Sequence, residues 1–351
     1  MKYTVNEIRS LAEAIMRSAG LDRTKAATFA DCLLQAELRG ISSHGITRLA
    51  AYSEKIRNGD INATADPVVV SERPATLSID GANGPGITVG TFAMERCIEK
   101  AAHTGACFAA VNNSSHYSFG GYYAMRAASR GMVGISVCNA DAVVAPFGGM
   151  EPRLGTNPLS VAVPGGEMPD LVLDMATSIV AKGKVNLAEK LGTSIPEGWI
   201  IDKEGNPTTN PADIIGGSLL PFGGVKGYAI GLIIDVLVSS LGGGKSSTEI
   251  TSFFAGTDPE GFKNVGFFMG AIDIGSFVDI AAFHARVDAL FRTIKSCAPA
   301  PNFDEVMIPG EIEHRSTLAR TRDGLDLPEP VVRELSEVAE RYGIDHPFRD
   351  R

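Results

Sequence analysis

The sequence predicts an α/β fold in which a sheet domain stands between two helical chain ends. Over residues 68–300, short β-branched runs alternate with stretches of helical spacing. Several runs are apolar at nearly every position, which is typical of strands covered on both faces. Residues 1–67 and 301–351 show helical patterns instead. We therefore expect an α/β domain over 68–300 and a helical domain formed from both termini.

In the N-terminal part, Gly20 is expected to end a first helix, and Thr24 to cap a second helix that runs to Arg39. Residues 41–45 form a break before a third helix that begins near Ile46. A side chain at such a break is not committed to a packed helix face. It can therefore point into a cleft.

The central part is predicted to alternate strands with helices, and the last fifty residues to begin with a loop and end in polar helices. The predicted strands are 67–71, 75–79, 107–112, 133–139, 159–164, 171–175 and 266–273. The predicted helices are 88–104, 121–131, 227–241 and 276–295. The predicted loop covers 301–310.

Composition and charge limit the possible partners. The chain has 351 residues, of which 44% are hydrophobic and 21% charged, as in globular proteins that bury a sizeable core. Its net charge is −9 and no stripe of Lys and Arg is visible, which argues against nucleic acid. The longest apolar stretch, 227–241, is too short to span a bilayer and contains Asp235. We expect neither nucleic acid nor a membrane as partner.

The cysteines indicate a reducing compartment. They are five in number and widely spaced, without a CxxC and without a His/Cys spacing suited to zinc. The first twenty residues form a charged amphipathic helix and not a signal peptide. We therefore expect a cytoplasmic protein with reduced thiols and no metal.

The usual nucleotide-binding motifs are absent. The glycine pairs spaced i, i+2 lack the third glycine of GxGxxG, because Val89 and Ser247 occupy the last positions. The stretch 244–246 resembles the end of a P-loop, but Ser239 replaces the first glycine and a predicted helix precedes it. A flexible surface turn explains this stretch better.

The segment 39–48, RGISSHGITR, groups residues suited to a small carboxylic acid. Arg48 can hold a carboxylate with a bidentate pair. His44 can exchange a proton with the C2 oxygen of a 2-hydroxy or 2-keto acid, and Ser43 can orient the ring. A structural reading stays open beside this one: a helix-capping Ser next to a partly buried His that makes one backbone bond.

The segment 112–121, NNSSHYSFGG, follows an apolar strand and precedes a helix. Such a turn offers backbone N–H groups to an anion such as a pyrophosphate. The residues leave the role of His116 open between a second acid or base, a cofactor contact and a helix cap.

Three further positions are weaker candidates. Thr156 stands with Asn157 before a proline, where their side chains can bond a substrate carboxylate or form a plain turn. Asp174 ends a strand, a natural place for a carboxylate that bonds ribose hydroxyls. Lys226 precedes the most apolar helix and is either a contact to a cofactor phosphate or an ordinary exposed lysine.

Taken together, seven stretches resemble the malate/L-lactate dehydrogenase family of the second, non-Rossmann type. They cover residues 39 to 311 in one order and read RGISSHGITRL, NSSHYSFGGYYA, PFGGMEPRLGTNPLSVAVP, VLDMATSIVAKGKV, IPEGWIIDKEGNPTT, LLPFGGVKGYAIGLIIDVL and VMIPGE. The resemblance implies a non-Rossmann NAD(P)-binding domain with a mixed sheet, a helical domain from both termini, and a homodimer or higher homo-oligomer. It further implies hydride transfer between NAD(P) and C2 of a small 2-hydroxy or 2-keto acid.

The resemblance also assigns residues. It makes His44 the proton donor with Ser43 beside it, Arg48 the carboxylate ligand and Thr156 a substrate contact, and it leaves His116 between catalysis and cofactor contact. The matching cofactor-contacting positions are His116, Tyr117, Ser118, Phe119, Gly120, Asp174, Met175, Ala176, Lys226, Gly227, Pro309, Gly310 and Glu311. Some reductases of the family have an Asp that completes a Ser–His relay where this chain reads AKGK at 181–184. Lys182 adds positive charge near a phosphate there.

The substrate and the choice between NAD and NADP stay open. Ureidoglycolate, sulfolactate and cyclic imino acids are alternatives within the family. A non-catalytic protein that binds a small anion at Arg48 is an alternative from another class, and nucleotide binding distinguishes it from the enzyme.

Overall fold

The computed structural model describes residues 2–253 and 265–349. Its helices and strands in chain order are β1 (Lys2–Tyr3), α1 (Val5–Ala19), α2 (Arg23–Leu38), α3 (Leu49–Arg57), β2 (Val68–Arg73), β3 (Thr76–Gly84), α4 (Gly86–Thr104), β4 (Ala106–Ser114), α5 (Gly121–Ala128), β5 (Met132–Cys138), β6 (Leu159–Val163), β7 (Leu171–Met175), α6 (Lys182–Leu191), β8 (Ile200–Ile201), β9 (Pro207–Thr208), β10 (Ser218–Leu219), α7 (Val225–Asp235), β11 (Val265–Asp273), α8 (Ile280–Lys295), α9 (Glu311–Asp323), β12 (Leu325–Asp326) and α10 (Glu329–Arg341). Short 3₁₀ turns cover Ser42–His44 and Ile46–Arg48, and a π-helical turn, Val236–Leu241, follows α7.

A mixed sheet forms the centre of the described structure. Its strand order is β2-β3-β4-β11-β5-β6-β7. The β3–β4 pair is parallel, with α4 as the connection, and the other neighbours are antiparallel. Every predicted strand is present in this sheet, so the predicted α/β class with a mixed sheet is confirmed. Within this sheet, the strand that comes last in the chain, β11, lies between β4 and β5.

Helices cover the central strands. Helix α4 packs on β4 and β11, and α5 packs on β5 and β6. A second cluster joins Val137 of β5 and Phe268 of β11 to Ile234 and Val238 of α7 and its π-helical turn. Although α7 is the most apolar helix, no helix among the described residues is long and apolar enough to cross a membrane.

The two chain ends pack together. Strand β1 pairs with β12, with Tyr3 opposite Leu325, and α10 contacts both α1 and α3. One hydrophobic cluster contains residues of both ends and of the sheet, for example Leu33, Val111 and Leu335. The division into two domains at residues 67/68 and 300/301 stays a prediction.

Several predicted boundaries were wrong. The cap of α2 is Asp22 and not Thr24, because the Asp22 carboxylate accepts the N–H of Lys25 at 2.8 Å and places Thr24 inside the first turn. Helix α3 begins at Leu49, after the two 3₁₀ turns. Helix α5 ends at Ala128 and not at residue 131. Helix α8 begins at Ile280 and not at residue 276, and Asp279 caps it. The pairs β8–β10 and β8–β9 were missed because their strands have two residues each.

Gly134 sets how closely α5 approaches the sheet. A Cβ at this position would lie 2.8 Å from the Cα and carbonyl carbon of Ala124. We expect Gly134→Ala to lower the free energy of unfolding by about 1–3 kcal/mol, since the helix backbone must shift. Urea unfolding midpoints measure the change. Gly183→Ala in α6 is the control, because a Cβ there meets nothing within 4 Å. Equal midpoints for Gly134→Ala and the unmodified chain would contradict the close approach.

Candidate active site

A buried carboxylate holds the turn that carries His44. Glu37, at the end of α2, is 3% exposed, and its Oε1 accepts the Ser42 hydroxyl at 2.7 Å. The Nη1 of Arg320, on α9, lies 3.3 Å from the same oxygen. Gly45 leaves room for the carboxylate, because a Cβ there would lie 2.5 Å from Glu37 Oε2. The C-terminal segment therefore helps to shape the turn.

His44, Ser43 and Arg48 lie together on this turn. The Ser43 hydroxyl is 2.9 Å from His44 Nδ1, and Arg48 Nε donates to the Ser43 carbonyl oxygen at 2.6 Å. Glu334 of α10 is near enough for its charge to affect the pKa of Arg48. The imidazole and the guanidinium thus share one small region, as the spacing predicts, although two 3₁₀ turns and not an α-helix bring them together.

The turn between β4 and α5 places His116 beside His44. The two imidazole rings stack with centroids 5.9 Å apart and planes at 16°. The Ser118 hydroxyl donates to the His44 carbonyl oxygen at 2.8 Å. The segments 39–48 and 112–121, far apart in sequence, therefore form one site.

Two aromatic residues that the sequence did not single out complete this site. The hydroxyl of Tyr52, on α3, contacts His116 Nδ1. The ring of Phe253 lies 5.0 Å from both the Tyr52 and the His116 rings, measured between centroids. Tyr52 follows Arg48 by four residues, a spacing that points to the same helix side. Nothing in the sequence near Phe253 signals its place.

Burial and positive charge keep both histidines neutral. Burial, followed by the charge of Arg48, lowers the pKa of His44 to about 4. Burial, followed by His44 and Arg48, lowers the pKa of His116 to about 3. Burial also raises the pKa of Tyr52 well above its ordinary value, so that its hydroxyl keeps its proton.

A second group of predicted residues gathers around Thr177. Its backbone N–H and its hydroxyl both donate to the Thr156 carbonyl oxygen, at 2.8 and 3.0 Å. Gly227 approaches closely enough that a Cβ there would lie 2.8 Å from the Thr177 carbonyl oxygen. Thr156, the 175–176 pair and the 226–227 pair are thus brought together. Thr177, 2% exposed, was missed because an ordinary strand-end threonine gives no distinguishing signal.

Asp174 joins the sheet to the start of α5. Its Oδ1 accepts the Ser160 hydroxyl at 2.5 Å, and a Cβ on Gly121 would lie 2.9 Å from its Oδ2. A Cβ on Gly120 would lie 3.1 Å from the Ser160 Cβ. Burial raises the pKa of Asp174. The carboxylate predicted to bond a ribose already accepts a hydrogen bond from Ser160.

The remaining predicted cofactor residues have varied environments. The side chains of Tyr117 and Phe119 lie in the core, where the Tyr117 ring stacks 4.5 Å from Phe267. The Pro309 carbonyl oxygen accepts the Val172 N–H at 2.9 Å, so the 309–311 turn meets the beginning of β7, whereas Asp174 lies near its end.

The carboxylate of Glu311, the last residue of that turn, bonds Lys295 at 2.8 Å and Arg315 at 2.6 Å. Lys182 and Lys226 are exposed in the first turns of α6 and α7, and no side chain caps either helix. Exposed ammonium groups next to uncapped backbone N–H groups are chemically suited to phosphate oxygens.

Comparisons with known proteins agree with this architecture. A family model described as malate/L-lactate dehydrogenase matches residues 3–336. The L-sulfolactate dehydrogenase of Methanocaldococcus jannaschii is 39% identical over 94% of each chain. The malate dehydrogenase of Pyrococcus horikoshii is 38% identical over 94% of this chain and 92% of the relative. The solved structure of the Methanocaldococcus jannaschii enzyme has a TM-score of 0.91 over 98% of both chains, at 37% identity.

Two further relatives have cofactors in their names. The (2R)-3-sulfolactate dehydrogenase (NADP(+)) of Chromohalobacter salexigens is 35% identical over 96% of this chain and 97% of the relative. The ureidoglycolate dehydrogenase (NAD(+)) of Escherichia coli O157:H7 is 32% identical over 99% of each chain. With the family model spanning nearly the whole chain and the relatives aligned end to end, this chain belongs to the malate/L-lactate dehydrogenase family.

Proposed function

We propose that this chain is an NAD(P)-dependent oxidoreductase that transfers a hydride between the cofactor and C2 of a small 2-hydroxy or 2-keto acid of the malate or lactate type. One observation supports this most: a pair of neutral imidazoles, His44 and His116, stacked 5.9 Å apart beside Arg48. The grouping offers a cation for the carboxylate and an acid or base for the adjacent oxygen.

Each residue of the 43–48 turn has a distinct task in this proposal. Arg48 pairs with the substrate carboxylate and thereby fixes C2 relative to His44. His44 exchanges a proton with the C2 oxygen, and Ser43, 2.9 Å from His44 Nδ1, orients its ring. Thr156, from the second group, contacts the substrate.

Substrate binding adjusts the acidity of His44. Burial and, after it, the charge of Arg48 lower the pKa of His44 to about 4. A carboxylate paired with Arg48 offsets that positive charge, so the pKa of His44 rises when the acid binds. A 2-keto acid therefore promotes protonation of the group that must donate a proton to it.

The cofactor, when bound, supplies the hydride. Lys182 and Lys226 offer positive charge to its phosphates, and the 116–120, 174–176 and 309–311 stretches are the proposed contacts. We propose NAD or NADP without a choice between them, since both occur in the names of relatives.

The substrate class is the finer part of the proposal. Relatives named for sulfolactate, malate and ureidoglycolate are all more than 30% identical to this chain. The solved structure of a Δ1-piperideine-2-carboxylate reductase aligns with a TM-score of 0.84 at 27% identity. Each of these names contains a compound with a carboxylate next to the reacting carbon, which is the part that Arg48 and His44 would recognise.

The direct test follows NADH and NADPH oxidation at 340 nm with oxaloacetate, pyruvate, sulfopyruvate, oxalurate and piperideine-2-carboxylate. We expect turnover with at least one 2-keto acid, because the site pairs a carboxylate ligand with a proton donor. Carboxylate binding without turnover, and without enhanced NAD(P)H fluorescence, would instead support a non-catalytic anion-binding protein.

The role of His44 can be tested by substitution. We expect His44→Ala to lower kcat by about 10²–10⁴-fold, the usual loss for a general acid. His103→Ala is the control, since His103 is exposed near the end of α4. Steady-state kinetics with the best substrate of the panel measures both. Full turnover by His44→Ala would remove it from the mechanism.

We also propose that the chain forms a homodimer or higher homo-oligomer. Helix α7 and its π-helical turn expose an apolar stripe of Val225, Leu232, Ile233 and Val236. Their spacing places them on one side, opposite the buried Ile234 and Val238. Contiguous exposed apolar surface of this kind marks association sites. A second copy of the chain is the proposed occupant.

Ile233→Asp tests this surface, because Ile233 is 59% exposed and a carboxylate in an apolar interface is costly. We expect the molar mass measured by light scattering after size exclusion to fall to that of a single chain. The control is Val70→Asp on β2, where Val70 is 66% exposed. An unchanged mass for Ile233→Asp would exclude the stripe as the interface.

A cytoplasmic location remains part of the proposal. The five cysteines are free in the structure, and only Cys297 is exposed. Free thiols are typical of a reducing compartment.

A further inference from the structure

The hydrogen bonds of His116 define its tautomer. The backbone N–H of Ser118 donates to His116 Nδ1 at 3.3 Å. A backbone N–H can only donate, so Nδ1 must present its lone pair. The Tyr52 hydroxyl, which keeps its proton, contacts the same nitrogen; because Nδ1 already accepts from Ser118 and so carries no proton, the hydroxyl is the donor in this contact. The hydroxyl also lies 3.5 Å from the His116 carbonyl oxygen. A hydrogen bond there would still leave the Ser118 N–H directed at Nδ1.

A neutral imidazole that accepts at Nδ1 carries its proton on Nε2. Protonation of Nδ1 would direct an N–H against the N–H of Ser118. The positive charge of Arg48, which lies close to His116, also opposes it. His116 is therefore poorly suited to gain or lose a proton during a reaction.

His44 differs from His116 in the kind of partner it has. Its Nδ1 lies 2.9 Å from the Ser43 hydroxyl. A hydroxyl can donate or accept, depending on its rotation. His44 can therefore change its protonation state without losing this hydrogen bond, whereas His116 cannot.

We propose that Ser118 and Tyr52 lock His116 as the neutral Nε2–H tautomer, which acts as a fixed hydrogen-bond donor to the substrate, while His44 alone exchanges the proton. The donor role rests on the proposed function; the tautomer does not. A preorganised N–H stabilises negative charge that develops on a substrate oxygen and needs no proton transfer to do so. The Nε2–H lies on the ring edge away from Ser118 and Tyr52, and the parallel rings bring both imidazoles within reach of one small substrate.

Nuclear magnetic resonance of ¹⁵N-labelled protein tests the tautomer without any substrate. Long-range ¹H–¹⁵N spectra distinguish protonated from bare ring nitrogens, and the signals that disappear in His116→Gln identify His116. We expect a bare Nδ1 and a protonated Nε2 from about pH 5 to about pH 8, the range in which an ordinary histidine titrates. The exposed His103 serves as reference. A protonated Nδ1, or an imidazolium within that range, would overturn the proposal.

Matched substitutions at the two histidines test the donor role. A glutamine side chain keeps an N–H donor near the Nε2 position but exchanges no proton. We expect kcat to fall about tenfold in His116→Gln and about 10²–10³-fold in His116→Ala. At position 44, Gln and Ala should lose kcat alike, by about 10²–10⁴-fold. If His116→Gln is as inactive as His116→Ala, the donor role is wrong even where the spectra support the tautomer. If no substrate is turned over at all, the spectra still decide the tautomer, and the proposed function alone fails.

Discussion

The ion pair between Glu37 and Arg320 is the constraint on which the site depends. It joins the end of α2 to α9, residues separated by most of the chain, and it lies beneath the turn that carries His44. A buried carboxylate without its partner would be an uncompensated charge, which is strongly destabilising. The turn therefore takes its shape only when the two chain ends have come together. Ser316 reinforces this junction by donating its hydroxyl to the Leu38 carbonyl oxygen at 2.8 Å.

The charge states of His44 and His116 follow from their burial. The chain is acidic, with a net charge of −9, yet the site holds two neutral imidazoles and a guanidinium. Neutral rings avoid the cost of a buried charge, and the guanidinium repels the charged form of each histidine. Among these three groups, the positive charge therefore lies on Arg48. Glu334, near Arg48, moderates that charge from α10.

Much of the fold and part of the site follow from the sequence, because the relevant signals are local. Short β-branched runs, several of them apolar at nearly every position, predicted the strands of the central sheet, and the spacing of His44 and Arg48 predicted their proximity. Side chains that reach the site from a distance were not predictable in this way. Phe253 meets His116 through tertiary packing alone. Asp174 could be recognised as a strand-end carboxylate, but its contacts with Ser160 and Gly121 depend on how β6, β7 and α5 assemble. Asp22 and Thr24 are both suited to cap α2, and the structure has Asp22 as the cap.

The absence of a Rossmann fingerprint has a structural counterpart. A glycine-rich loop concentrates phosphate recognition in one strand-to-helix turn. Here the strand-to-helix turn 114–121 has contacts within the protein: the Ser118 hydroxyl donates to the His44 carbonyl oxygen, and Gly121 lies against the Asp174 carboxylate. The starts of α6 and α7, which no side chain caps, are the segments proposed to contact the phosphates of the cofactor. Under that proposal each segment contributes few contacts, so each gives only a weak signal in the sequence. This is why single motifs carry little information in this chain, whereas their order along residues 39–311 carries a great deal.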